Sequence, residues 1–424
     1  MRILFTTLSE KSHYHSMVPI AWALRTAGHD VRVASQPNMV DAIRESGLPA
    51  VAVGADHTYY EKLRELMASA PQDDGQREKP DLNDMGRNVP RKLNWDTAMM
   101  MYGFMVPFTF SMFNEPMVDD LVTVAREWKP DLVLWEPLSH AGAVAARAVG
   151  AAHARVVWGQ DYFARMHQRF TEISRAQPEG QRQDPLRDWL TGLLGRFDCE
   201  FGEDAIFGQW SIDTMPESMR FSLGLDTLST RYVPYNGPSV LPDWLRTPPQ
   251  RRRVALTAGI TSKEFDQDTQ VPFTDLLAAV RDLDAEVIAT VPADRRDEVG
   301  PVPSNVQLVD FVPLDLLLPT CSAVVHHGGA GTSATALLHG IPQVVTGNTF
   351  SALPYGETLH DLGAGVRVDG IEGDADDVRE ALVRVLDEPA YVKAAGSLRE
   401  EMLALPTPNE IVADLEERTR THRA

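Results

Sequence analysis

Residues 324–343 read VVHHGGAGTSATALLHGIPQ. An apolar run ends in two histidines, a glycine-rich turn follows, and Thr332 opens an amphipathic helix. Strand, tight turn and helix N-terminus in that order predict a phosphate cradle. Glycines let the backbone approach a ligand closely, and a first helical turn offers N–H groups with about half a positive charge. His327 and Thr332 each carry a donor for a phosphate oxygen, and Gly328, Gly329, Ala330 and Gly331 supply backbone N–H groups. The bland alternative is a tight strand–helix turn with two structural histidines. The pattern lacks the lysine of a Walker loop and the spacing of GxGxxG, so ATP hydrolysis and nicotinamide chemistry lose their usual signatures.

Outward from this turn, short apolar strands alternate with helical periodicity through both halves of the chain. RILFTTL (2–8), DVRVAS (30–35), PAVAVG (49–54), DLVLWE (131–136) and ARVVWG (154–159) read as strands, with helices over 17–28, 37–47 and 141–150. The second half repeats the order with RVALTAG (253–259), EVIATV (286–291), VQLVDFV (306–312), AVVHH (323–327), QVVTG (343–347) and VRVDG (366–370). Buried strands separated by helices predict an α/β protein with two parallel sheets. The Pro- and Gly-rich stretch 231–252 reads as a linker. It gives an N-terminal domain over 1–237, a C-terminal domain over 238–405, and a last helix within 406–424 that packs back on the first domain. Two such domains facing each other form a cleft at the carboxyl ends of their strands. Residues 71–92, polar and interrupted by proline, read as a mobile surface loop.

At 424 residues the chain exceeds what one core usually serves. A net charge of −20 argues against nucleic acid or an anionic membrane as partner, so a diphosphate must be held by local dipoles and a few placed groups. Two cysteines, Cys199 and Cys321, make no disulfide framework and suit a reducing cytoplasm. The N-terminal apolar run is too short for a signal peptide, and no stretch approaches a membrane span.

Candidate chemistry lies elsewhere too. His13 falls in SEKSHYHSMVP (9–19), read as the loop after the first strand, where an imidazole serves as a general base. Glu136 ends a second strand, and a carboxylate on the far imidazole nitrogen would fix the tautomer. Read singly, they are also a satisfied loop histidine and a helix N-terminal carboxylate. Gly259 and Thr261, with Ile260 and Ser262, complete the phosphate cradle or form a plain strand–helix turn. Residues 95–113 (WDTAMMMYGFMVPFTFSMF) read as a core helix or helix pair, one face of which lines an apolar acceptor pocket through Met101, Phe104 and Phe108. Asp282-Leu283-Asp284 reads as solvated acids rather than a metal motif. No histidine pair has further ligands at zinc spacing, so neither metal nor cofactor is expected.

Taken together, these stretches make the chain resemble the inverting, two-Rossmann-domain (GT-B) glycosyltransferases of family 1. The resemblance is in particular to actinomycete deoxysugar transferases of macrolide and anthracycline antibiotics. It spans almost the whole chain, through residues 12–37, WKPDLVLWEPL (128–138), ARVVWG, GQWSID (208–213), 231–245, VDFVPL (309–314) and HHGGAGT…HGIPQ. It implies that His13 deprotonates an acceptor hydroxyl with Glu136 as partner, and that dTDP leaves from the anomeric carbon. It further implies that the 327–332 turn, Gly259 and Thr261 hold the diphosphate and that backbone around Phe311 and Val312 meets the thymine. A cytochrome-like auxiliary protein docked on the N-terminal domain belongs to the same expectation, and a homodimer stays open. Where relatives carry a Trp-Asp pair and then a Gln against the sugar, this chain has Phe350-Ser351 and Glu357. Ser333 stands where relatives often have Trp. Ser351 and Glu357 are thus the candidate sugar contacts, with donor preference left open. Two rival readings stand beside the transferase: a non-catalytic nucleotide-sugar-binding accessory protein, and a sugar-nucleotide epimerase of the same architecture.

Overall fold

The short apolar strands pair into two sheets, each wholly parallel. The computed structural model describes residues 1–69, 85–90, 93–257, 271–349 and 351–423. The first sheet has the order β3-β2-β1-β4-β5-β6-β7. Its strands are β1 Arg2–Thr6, β2 Asp30–Ser35, β3 Ala50–Ala52, β4 Leu132–Trp135, β5 Ala152–Val157, β6 Trp210–Asp213 and β7 Thr227–Ser229. The second has the order β10-β9-β8-β11-β12-β13. It comprises β8 Arg253–Thr257, β9 Glu286–Thr290, β10 Val306–Val309, β11 Ala323–His326, β12 Gln343–Val345 and β13 Gly365–Arg367. The helices that matter for the site are α1 Lys11–Thr26, α2 Trp95–Met105, α3 Met112–Trp128, α4 His140–Val149 and α5 Tyr162–Arg175 in the first half. In the second they are α6 Ala330–His339, α7 Ala352–Asp361, α8 Pro389–Ala404 and α9 Val412–His422.

Strand order reverses once in each sheet, between β1 and β4 and between β8 and β11. At such a point the connections leave towards opposite faces, and a crevice opens beyond the carboxyl ends of the strands. Thr6 pairs with Trp135 and Thr257 with His326, so the strands flanking each crevice end level. His13 and Glu136 follow β1 and β4, and His327 follows β11. Gly259, Ile260, Thr261 and Ser262 follow β8 but lie outside the described residues, as do Phe350 and most of 71–92.

Local structure corrects several expectations. His13 sits in the first turn of α1, not in a loop. The apolar stripe Tyr14, Met17, Val18, Ala21 and Leu24 buries against the sheet, and that periodicity pulls the helix start back to Lys11. Helix α6 begins at Ala330 with Gly329 as its N-cap, which puts Thr332 inside the first turn. Strand β10 stops at Val309, leaving exposed Phe311 and buried Val312 in the loop beyond it.

Helices α2 and α3 are joined through a π-helical turn, Val106–Ser111. Met101, with 2% of its surface exposed, points into the core with Tyr102 and Met105, so it does not line an acceptor pocket. Phe104 and Phe108, four residues apart and thus on one helix face, are half-buried and stack at 5.1 Å.

Both faces of the first sheet are covered. Leu4, Val133 and Trp135 pack under α2, α3 and α4, while Ile3, Phe5, Leu132 and Leu134 pack against α1. The second of these layers also contains Ile411 and Leu415, because α9 lies against the first sheet. The His422 ring meets Trp210 at 5.0 Å, and Arg418 pairs with Asp226 at 2.6 Å. The chain therefore passes between the halves twice. The two passages touch where Pro406 O accepts from Arg231 N at 2.7 Å and from Thr230 Oγ1 at 3.1 Å.

Candidate active site

Two strand ends 123 residues apart in sequence bring the imidazole to its carboxylate: His13 Nδ1 lies 3.2 Å from Glu136 Oε2. Glu136 is fully buried, and both of its oxygens accept hydrogen bonds. Ser139 Oγ donates to Oε1 at 2.6 Å, while Oε2 accepts from Leu138 N at 3.0 Å and Trp158 Nε1 at 3.2 Å. Burial pushes Glu136 up, but His13, the Ser139 hydroxyl and the Leu138 N–H outweigh it and hold the carboxyl below its usual range. Burial likewise pushes His13 down, and the charge and hydrogen bond of Glu136, with a contribution from Glu10, more than reverse this. His13 therefore stands above the ordinary histidine value. With Nδ1–H held by a carboxylate, Nε2 is left as the proton acceptor.

The two histidines of the glycine-rich turn do different work. His326 is wholly buried: its Nδ1 accepts from Gly328 N at 3.0 Å and its Nε2 meets Gln343 Oε1 at 2.9 Å. Burial depresses its pKa to about 3, so it is a neutral strut for the turn. Gly328 has φ +92°, and a Cβ there would lie 2.4 Å from Ala352 Cβ. Only glycine tolerates both the conformation and the space. His327 carries a buried Nδ1 with no hydrogen-bond partner among the described residues, and burial depresses its pKa to about 4. It is thus neutral near pH 7. Among the described residues no side chain caps α6, and its first-turn N–H groups have no intrahelical partner. Thr332 is nearly buried in that turn, and Tyr232 Oη donates to Gly331 O at 3.4 Å.

The two halves meet around one cavity, lined by Trp158, Gly159 and Gln160 from the first half and by Gly328, Ala330, Ser333, Ser351 and Tyr355 from the second, with Met215. Its volume is about 20 Å³, enough for one water. That volume is smaller than a nucleotide. Gln160 Nε2 donates to Thr358 Oγ1 across the gap at 3.1 Å. Ser351 lines the cavity, whereas Glu357 is engaged elsewhere: its Oε2 accepts from Asn88 N at 2.8 Å and its Oε1 lies 3.5 Å from Arg87 Nη1. That segment is held in turn by α5, where Arg165 donates to Asn88 Oδ1 and Arg169 to Met85 O. Sequence reasoning missed Trp158, Ser139 and Gln160. Trp158 and Gln160 had a usable signal, since they follow β5, the neighbour of β4; using it requires knowing the strand order.

Comparison with known proteins agrees with this geometry. Residues 22–259 match the erythromycin biosynthesis protein CIII-like N-terminal domain, and 274–418 match the corresponding C-terminal domain. The chain is 45% identical to a 10-deoxymethynolide desosaminyltransferase of Streptomyces venezuelae over 100% of its own length and 98% of that protein. It is 42% identical to an aclacinomycin-T 2-deoxy-L-fucose transferase of Streptomyces galilaeus, covering 100% of this chain and 97% of that one. The glycosyltransferase VinC, solved in complex with dTDP, superposes with a TM-score of 0.85 at 38% identity, covering 99% of this chain and 100% of VinC. Facing parallel sheets with a crevice at each switch point are thus the GT-B architecture, and the chain is a glycosyltransferase of the erythromycin biosynthesis protein CIII-like family.

Proposed function

We propose that the protein transfers a deoxysugar from a dTDP-sugar to a hydroxyl of a polyketide aglycone of the macrolide or anthracycline type, with inversion at the anomeric carbon. The observation that carries this reading is the His13–Glu136 pair at 3.2 Å, whose Trp158 neighbour also walls the diphosphate turn. Nε2 of His13 takes the hydroxyl proton as the acceptor oxygen bonds to the anomeric carbon. The bond from that carbon to the diphosphate oxygen breaks, and dTDP leaves. Glu136 stabilises the imidazolium that forms. Charge growing on the leaving oxygen meets the N-terminus of α6, the His327 N–H and the Thr332 hydroxyl. Gly259 and Thr261 complete this grip, and Phe311 with Val312 receives the thymine. We assign leaving-group stabilisation to these groups and not to a metal ion.

The relatives' aglycones support the acceptor class, and dTDP bound to VinC supports the leaving group. Among the described residues no helix is long and apolar enough to cross a membrane. We place the reaction in the cytoplasm. The test is a panel of dTDP-deoxysugars against macrolide and anthracycline aglycones, with product mass equal to aglycone plus sugar. Running it with and without a cytochrome-like auxiliary protein, and sizing the enzyme in solution, addresses the partner and the dimer. His13→Ala should reduce transfer by roughly 10²–10⁴-fold and spare dTDP binding. Absence of dTDP affinity in the wild type would overturn the reading.

A further inference from the structure

Three strand ends converge on the base. β1 leads to His13, β4 to Glu136, and β5 to Trp158, and β5 is bonded to β4 with Trp135 opposite Arg155. The Glu136 oxygens are unequally loaded. Oε1 has Ser139 alone among the described donors, whereas Oε2 is shared by His13, Leu138 N and Trp158 Nε1. The Trp158 ring also lies 4.7 Å from the His13 ring, tilted by 35°. The same indole lines the small cavity beside Gly328, Ala330 and Ser333.

We infer that Trp158 is a positioning residue of the proton-accepting pair: its Nε1–H anchors the Glu136 oxygen that holds His13, and its ring bears on the imidazole. The inference rests on the assignment of His13 as the base. An N–H donated to the shared oxygen fixes its direction and takes up part of its negative charge. That limits how tightly the carboxylate retains a proton on His13, which already stands above the ordinary histidine value. Each further rise in the His13 pKa lowers the fraction of imidazole free to accept the hydroxyl proton near neutrality.

The other ionisable groups near the pair do not perform this task. Glu10, at the turn before α1, acts on His13 through its charge, and its carboxylate accepts from Tyr60 Oη at 2.7 Å and faces His57 at 3.7 Å. His140, at the start of α4, senses Glu136 but is depressed to about 4 by burial and is neutral. Leu138 and Ser139 fix the carboxylate from its own loop, and Trp158 fixes it from the neighbouring strand.

The test is Trp158→Phe, which keeps a ring beside His13 and removes the N–H. The His13 imidazole, followed by NMR titration without substrate, should bind its proton about threefold more tightly than in the wild type. The acid limb of kcat/KM should move to higher pH, with a loss approaching about threefold on that limb and a much smaller loss on the alkaline plateau. In a Glu136→Gln background the same substitution should leave the His13 titration in place, because the shared charged oxygen is gone. An unmoved His13 titration in Trp158→Phe, a loss equal at every pH, or an equal shift in the Gln background would overturn the inference. The titration uses no donor or acceptor. Failure to transfer from every dTDP-sugar would therefore overturn the functional reading, while the titration decides this one.

Discussion

Replacing Glu136 by Gln isolates the charge of the buried carboxylate at nearly constant shape. The amide oxygen can keep the His13, Leu138 and Trp158 bonds, and the amide NH2 can donate to Ser139 Oγ, so the site retains its packing. What disappears is a charge-assisted bond to an imidazolium that exists only as the acceptor proton moves. Such a bond contributes ~1.5–3 kcal/mol, and the His13 side chain, only 17% exposed, gives water little chance to screen it. At ~1.4 kcal/mol per decade, kcat and kcat/KM should fall together by about 10–150-fold. The pH profile should move as well. In the wild type the acid limb lies above 6.5, because the Glu136 charge raises His13; in the variant only the Glu10 charge still opposes burial, and the limb moves to lower pH. Steady-state transfer across pH, with dTDP binding measured calorimetrically as a control, reads both effects. A variant within threefold of wild type with an unmoved limb would refute the role given to Glu136.

The same pair should leave a signature in stability. Glu136 contributes above its ordinary value of 4.5 and loses the contribution as pH falls through its depressed folded value. His13 contributes below 6.5 and loses it as pH rises through its raised folded value. The wild type should therefore exceed Glu136→Gln in Tm most clearly between those two values, and a gap that widens above neutrality would contradict this. His327→Ala should weaken dTDP by roughly tenfold, with a ratio to wild type that stays flat from pH 5.5 to 8, since His327 is neutral throughout; a ratio that collapses near pH 6–7 in calorimetry would show a cation instead. Gly328→Ala forces φ +92° on a residue whose Cβ meets Ala352 at 2.4 Å, so urea unfolding should show a loss of about 1–3 kcal/mol together with poor dTDP binding. Thr358→Val removes the hydroxyl shared by Gln160 and Asn88 across the gap, and dTDP association followed by stopped-flow should quicken severalfold. An unchanged association rate would mean that these bonds do not hold the halves together.

Much of this was legible in the sequence because the fold advertises itself through buried strands. RILFTTL, DLVLWE and AVVHH each have a run of apolar residues that needs cover on two faces, and β1, β4 and β11 are where they predict. Equivalent positions after two strands suggested joining His13 to Glu136, and the resemblance made that pairing specific. β6 and β7 were not read as strands, being four and three residues long with polar members such as Ser211, Asp213 and Thr227. The helical setting of His13 was written in the Tyr14–Met17–Val18 spacing but hidden by the polar run before it. Met101 illustrates a different limit: a Met- and Phe-rich helix has apolar residues all round, and only tertiary packing decides which of them face the core. Glu357 is similar, since its position in the chain does not reveal that Arg87 and Asn88 reach it from the other half.

The last helix carries a consequence for biosynthesis. Ile411 and Leu415 complete one side of the first sheet's core, so a domain whose strands leave the ribosome early lacks part of its interior until α9 emerges. The second domain's strands lie between β8 and β13 and need no later segment to pair. Vectorial synthesis usually lets the N-terminal domain finish first. Here part of the first domain's core is supplied by α9, which is synthesised after every strand of the second domain.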